Sequence, residues 1–320
     1  MSRSPRRGSP SLVDRLRRRG RSAEPVTALD DLARTVHRLS VLLAAGVPPA
    51  AAWRHLDGPA AASVAPVAAR GGDVSAALTG LPGADAASVS ALRGLAAAWS
   101  VALDSGAPLA GALRQFAAAL RGLAQTERQV RTALAGPIAT ARIVLVLPAI
   151  GVLFGVVLGF DTLGVLVGSP LGWACLAIGL GLLVAAWAWM RALVRRARPA
   201  DATPGLRCEL VAIAVSGGGA LSAAVARVDA ALERVGIADD ASVVGDVLAL
   251  SERAGVPAAE LLRAEAEEAR RSAGAEAERR AAALGVTLML PLGLCVLPAF
   301  IALGVVPLLA AVISSTVGSF

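Results

Sequence analysis

The sequence predicts an all-α integral membrane protein, with two repeated small cytoplasmic helical bundles and three transmembrane helices. Three observations carry this expectation. Charged residues make up only 17 % of the chain and the mean hydropathy is +0.65, whereas soluble domains carry about 25 % charged residues. The missing charge is concentrated in three long uncharged blocks. No stretch alternates β-branched and polar residues as a half-buried strand does. Together these exclude a secreted disulfide scaffold, a disordered hub and an ordinary cytosolic enzyme.

Residues 1–27 read as a disordered Arg-rich tail. They hold eight Arg against Asp14 and Glu24, so they carry +6 of the net charge of +7. Such a segment is drawn to anionic lipid headgroups. It has no interleaved aromatic residues to stack on bases, which argues against nucleic acid as a partner. No apolar stretch of signal-peptide length follows it.

Residues 28–142 read as a first cytoplasmic helical domain and 191–285 as a second. Both are organised by a short corner. The four copies are LLAAGVPPAAAW (42–53), ALDSGAPLAGAL (102–113), AVSGGGALSAAV (214–225) and SERAGVPAAELL (251–262). Gly46, Gly106, Gly218 and Gly255 stand where a helix ends, because glycine accepts the left-handed conformation that closes the last carbonyls. Pro48, Pro108 and Pro257 follow where the next helix starts, because that turn has no use for an amide proton. The 214–225 copy has no Pro. Helical stripes leave two of the corners, with Leu109, Leu113, Phe116, Leu120, Leu123 and Val130 on one and Ala258, Leu262, Ala266, Ala269, Ala273, Ala277 and Ala281 on the other. The second helix also places Glu267–Arg271 and Glu276–Arg280 at i, i+4.

Residues 143–190 read as a transmembrane hairpin. Ile143–Phe160 is uncharged and spans about 27 Å at 1.5 Å per residue, enough for the bilayer core. The link Asp161–Pro170 leads into Leu171–Met190, with Trp173, Trp187 and Trp189 near its ends, where aromatic belts lie. Gly151, Gly155 and Gly159 share one face of the first span and suit close helix packing, with span three or with another copy as partner. Residues 286–313 read as one kinked or tilted span containing Pro291, Pro298 and Pro307, with a re-entrant pair as the alternative. Residues 314–320 are a short external tail. Arg flanks the spans on one side only, at Arg128, Arg131 and Arg142, at Arg191, Arg195, Arg196 and Arg198, and at Arg270, Arg271, Arg279 and Arg280. The positive-inside rule then makes the N-terminus cytoplasmic and the C-terminus external.

Chemistry-bearing constellations are not found in the sequence. All 31 basic residues are Arg, so the lysine of a phosphate loop is missing. His37 and His55 have no Cys or paired acids nearby, and Cys175, Cys208 and Cys295 are scattered, so no metal-ligand spacing exists. Neither an enzyme nor a cofactor or metal is expected. The spans lack the ionisable residue that an ion-coupled transporter uses.

The architecture resembles the F-type inner-membrane platform protein of type II secretion and type IV pilus machines, in its tight-adherence (Flp) branch. The likeness rests on Leu42–Ala52, Ala102–Leu113, Ser251–Leu262 and Arg270–Ala299, and covers about residues 29–310. The Gly-Gly-Gly-Ala corner and the short, Ala-rich cytoplasmic halves depart from the family pattern. The resemblance implies a non-enzymatic inner-membrane protein that couples a cytoplasmic secretion ATPase to the assembly of pilin subunits. It also implies an oligomer, with a second platform subunit and membrane lipids as further partners. Arg128, Arg131, Arg270, Arg271, Arg279 and Arg280 are then a candidate cytoplasmic collar for partner contact, or simple headgroup anchors. Rival readings are a small channel or transporter gated by its cytoplasmic halves, and a membrane-anchored regulatory adaptor.

Overall fold

A computed structural model of the chain describes residues 25–157, 164, 167–196, 203–238 and 240–317. Most of the Arg-rich tail, the tip of the predicted hairpin and Gly159 lie outside the described residues. All described regular structure is helical. The chain divides into two compact units, one ending at Glu127 and resuming over Asp201–Ala273, the other made of Arg128–Ala200 and Gly274–Phe320.

The first unit contains α1 (Pro25–Ala44), α2 (Pro49–Ala52) with a 3₁₀ turn at Trp53–His55, α3 (Pro59–Ala69), α4 (Val74–Thr79) and α5 (Ala86–Ser105). It also holds the start of α6 (Leu109–Val157), then α8 (Leu206–Ser216), α9 (Leu221–Val235), α10 (Ser242–Ala254) and the start of α11 (Ala258–Thr287). Helix α1 begins inside the segment expected to be tail, at Pro25. Its neighbours start on identifiable caps. The Asp73 carboxylate accepts from the amides of Ser75 and Ala76 at 2.8 and 3.1 Å to open α4, and Asp85 accepts from Ser88 at 2.8 Å to open α5.

The two stretches expected to form separate bundles share one core. Leu39, Trp53, Leu95, Leu113, Ile213 and Leu262 all belong to it and are essentially inaccessible. The reason is α5. Residues Leu95–Ala98 and Val101–Ala102 are buried on every side of the helix, and a helix apolar all round needs neighbours all round. It packs against α1, α4, α8 and α9. Helix α8 is buried in the same way from Cys208 to Ala214. Trp53 and Trp99 meet at 5.7 Å between ring centroids, within the favourable range for tilted aromatic pairs.

The second unit contains residues 128–157 of α6, then α7 (Pro170–Arg196), residues 274–287 of α11, and α12. The last comprises Met289–Pro291, a π-turn at Leu292–Val296, Leu297–Phe300, a second π-turn at Ile301–Val305, and Val306–Val317. The backbone is helical throughout residues 289–317, so the stretch expected to be the third span is one irregular helix, without the break of a re-entrant pair. Each π-turn ends two residues before a proline, Pro298 or Pro307. Proline cannot donate to the fourth residue back and its ring crowds that carbonyl, and a wider turn relieves both.

Among the described residues, four helices are long and apolar enough to cross a membrane, within Ala86–Ser105, Leu109–Phe154, Gly172–Arg195 and Ala258–Val305. Burial separates them. The apolar window of Ala86–Ser105 is 67 % buried inside its unit, while that of Leu109–Phe154 is 0 % buried. The first is therefore a core helix, and the other three present their apolar surface outward. Ile143, Leu153, Val157, Ile178, Val286 and Leu294 are all more than half exposed. A band of this kind belongs in lipid.

Candidate functional site

The four corner glycines all adopt the left-handed conformation, with φ of 88° at Gly46, 69° at Gly106, 89° at Gly218 and 67° at Gly255. At Gly46 and Gly106 the two closing bonds of a Schellman cap are present. Val47 donates to Leu42 and Gly46 to Leu43, both at 3.0 Å, while Ala107 donates to Ala102 at 3.0 Å and Gly106 to Leu103 at 3.2 Å. The Pro-less corner differs. Its helix ends at Gly217, and a Cβ there would stand 2.2 Å from the Ser105 carbonyl oxygen and 2.9 Å from the Ala107 nitrogen. Two corners from different parts of the chain thus meet backbone to backbone, and only glycine fits.

A second contact of this kind anchors α11. A Cβ on Gly205 would lie 2.8 Å from the Cα of Ala266. One turn further along both helices, Arg270 Nη1 donates to Glu209 Oε2 at 3.1 Å. The two helices therefore run side by side in the same direction. Glu209 is 4 % exposed and Arg270 20 %, so this is a buried ion pair beside Phe116, Leu120 and Leu206. Sequence reading missed Glu209. Its signal is a single carboxylate inside the apolar run CELVAIAV, and buried charges are paired.

Of the six predicted collar residues, the structure gathers four in the second unit. Arg128 and Arg131 flank Val130, and Arg279 and Arg280 lie between Ala277 and Ala281. Val130, Leu134, Ala277, Ala281 and Leu284 form a small core there, with Leu193 of α7 against it. Arg270 and Arg271 belong to the first unit. Arg280 donates to Glu276 at 3.0 Å, Arg279 lies 3.8 Å from the same carboxylate, and Arg271 lies 3.4 Å from Glu268. These are exposed pairs within one helix, each of small energetic weight.

Among the membrane helices, α12 packs on both others at mid-span. A Cβ at Gly151 would stand 3.0 Å from Phe300 Cε2 and 3.7 Å from the Cα of Gly304. At Gly179, which sequence reading passed over, it would stand 2.3 Å from Leu303 Cγ. Close approach through small residues is how membrane helices associate. Nearer the Arg-rich end, Cys295 and Val296 pack on Ala186, with Val144 and Leu183 alongside. The Arg191 guanidinium sits 5.1 Å above the Trp187 ring, and Trp173 Nε1 donates to the Val167 carbonyl at 2.9 Å.

An open cleft of about 370 Å³ lies in the first unit, beside the first corner. Pro49, Gly72, Asp73, Trp99 and Leu103 line it. Asp104 and Arg234 close one rim with an ion pair at 3.3 Å. His37 is half-buried and His55 exposed. Among the described residues no three His, Cys, Asp or Glu side chains are placed to share a metal ion.

These features define an all-α membrane protein whose helical unit outside the spans is built on glycine corners. Residues 35–157, from α1 to the end of α6, match the family model for type II secretion system (T2SS), protein F. That stretch is similar to a protein F domain, consistent with an F-type platform protein. Neither the curated proteins nor the solved structures contain a match.

Proposed function

We propose that this protein is the inner-membrane platform of a type II secretion or tight-adherence pilus machine, coupling a cytoplasmic secretion ATPase to pilin assembly. The observation that carries the reading is the protein F match over residues 35–157. Platform proteins of that family are not enzymes. The geometry supports such a role: rigid corners hold the helical unit, and α6 and α11 each run without a break into the segments with outward-facing apolar surface. In this reading the helical unit and the N-terminus are cytoplasmic, the hairpin tip and C-terminus are external, and the assembled form is an oligomer with pilins and a second platform subunit around it. Residues 143–157, 171–190 and 286–313 contain no charged side chain, which favours a scaffold over an ion-coupled transporter.

The test is capture of the cognate secretion ATPase by the intact chain in detergent. The two cytoplasmic stretches share one core, so they are not suited to separate trials. Specific capture supports the platform reading. Failure of capture, together with substrate flux through reconstituted liposomes, replaces it with the channel reading.

A further inference from the structure

The outward face of α7 changes character along its length. Leu180, Val184 and Trp187 are each at least half exposed. Arg191 and Arg195 continue the same face at i, i+4 spacing and are exposed as well. Leu183, Ala186, Met190 and Leu193 take the other face, where they pack on α6, α11 and α12. The apolar stripe thus ends in two neighbouring cations, at the level where a membrane helix leaves the hydrocarbon.

The protein neutralises neither cation. The Arg191 guanidinium lies 5.1 Å from the Trp187 ring centroid, and among the described residues neither Arg191 nor Arg195 makes an ion pair. In contrast, Arg271, Arg279 and Arg280 all have a carboxylate three or four residues away on their own helix. Helix α7 contains no Asp or Glu, and the described acids of its unit are Glu276 and Glu278. Measured along the helices from the Ala186–Cys295 contact, Arg195 lies about 13 Å and Glu278 about 25 Å toward the Arg-rich end.

An indole ring has no classical acceptor, so it holds the Arg191 guanidinium through its charge and leaves the N–H donors free. Two guanidinium groups one turn apart then offer the planar donor forks that suit phosphate oxygens. A zwitterionic headgroup would carry its ammonium to the same two cations, where no carboxylate receives it. The charge pattern therefore favours a headgroup whose phosphate is its only charge. We infer that this end of α7 binds an anionic glycerophospholipid. Its phosphate lies on Arg191 and Arg195, and an acyl chain runs along Trp187, Val184 and Leu180. The inference rests on the chain spanning a membrane and is independent of the platform reading.

The test uses the full chain in phosphatidylcholine vesicles that contain a small fraction of lipid with brominated chains, either phosphatidylglycerol or phosphatidylcholine. Trp173 and Trp189 are changed to Phe. Trp53 and Trp99 are buried in the helical unit and give a constant background, so bromine quenching reports lipid at Trp187. Brominated phosphatidylglycerol is expected to win over brominated phosphatidylcholine about fivefold if one Arg engages, and about thirtyfold if both do. Arg191→Gln with Arg195→Gln should remove the preference and leave ordinary quenching. Arg279→Gln with Arg280→Gln removes the same amount of charge elsewhere and should leave the preference intact. Equal quenching by the two lipids overturns the inference. So does an equal fall in both double variants, because the attraction is then diffuse. Inorganic phosphate added at constant ionic strength should not displace the lipid, and displacement would reveal a site for free phosphate instead.

Discussion

Replacing Arg270 by Ala leaves the Glu209 carboxylate inside the helical unit without its partner. Glu209 is 4 % exposed and the pair is 3.1 Å long, so water does not readily replace the guanidinium. Breaking a buried pair from one side costs about 3–5 kcal/mol. The reverse change should cost less. Arg270 is 20 % exposed, so in Glu209→Gln its charge turns toward solvent and the loss is about 1–3 kcal/mol, that of a hydrogen bond to a charged group. The double replacement E209L/R270M should recover most of the stability, because apolar groups of similar volume often match a buried ion pair. The assay is equilibrium unfolding of the full chain in detergent, followed by the fluorescence of Trp53 and Trp99. Trp173, Trp187 and Trp189 are changed to Phe so that only the helical unit reports. Equal losses below about 1 kcal/mol in R270A and E209Q would show a pair that behaves like a surface one, and the argument from burial would fail.

Other outcomes follow from single contacts. Gly179→Ala should lower the melting temperature of the purified protein clearly, because its Cβ would stand 2.3 Å from Leu303 Cγ. Gly151→Ala, at 3.0 Å from a ring edge, should do so less, and Gly181→Ala, with nothing within 4 Å, should not. A ranking with G181A as the worst contradicts the packing of α12. The Asp240 carboxylate is held below its usual 3.8 by the Ser242 backbone amide, then by the Ser242 hydroxyl and more weakly by Arg207. A lowered folded-state value stabilises above the unfolded value and is lost as pH falls through the folded one. The stability gap between the native chain and D240N should therefore hold near neutrality and close below about pH 4, which acid unfolding curves read directly. For orientation, Gly168→Cys in a background lacking Cys175, Cys208 and Cys295 should react with a membrane-impermeant thiol reagent on whole cells, and Ser222→Cys should not. The opposite pattern inverts the proposed topology.

The helix corners were legible because their chemistry is local. A left-handed glycine followed by proline closes one helix and opens another from a few residues, wherever the rest of the chain goes. The long apolar helices were legible because lipid imposes length and apolarity on a contiguous stretch. What stayed hidden depends on distant partners. Helix α5 joins both predicted cytoplasmic stretches into one core, which only its neighbours reveal. Gly205, Gly217 and Gly179 are ordinary glycines by sequence, and each is required by a backbone or side chain from elsewhere in the chain. Arg270 looked like its neighbour Arg271 until the fold placed Glu209 beside it. Gly236, with φ of 67°, closes α9 by the same Schellman bonds as the recognised corners. It went unremarked because it lies outside the four repeated corner segments.

The Arg pairs on α11 allow function to be separated from folding. Arg279 and Arg280 share Glu276 on an exposed face, so reversing both charges removes contacts worth a few tenths of a kcal/mol each and adds like-charge repulsion of similar size. The unfolding midpoint of R279E/R280E should therefore stay close to that of the native chain, in contrast to R270A. If these residues contact the secretion ATPase, as the platform reading proposes, the same double variant should lose ATPase capture and pilus assembly. If they only meet anionic headgroups, assembly should persist, while association with vesicles rich in anionic lipid falls. Intact assembly in R279E/R280E removes Arg279 and Arg280 from the coupling route. Loss of assembly with an unchanged midpoint establishes a role for this Arg pair that stability cannot explain.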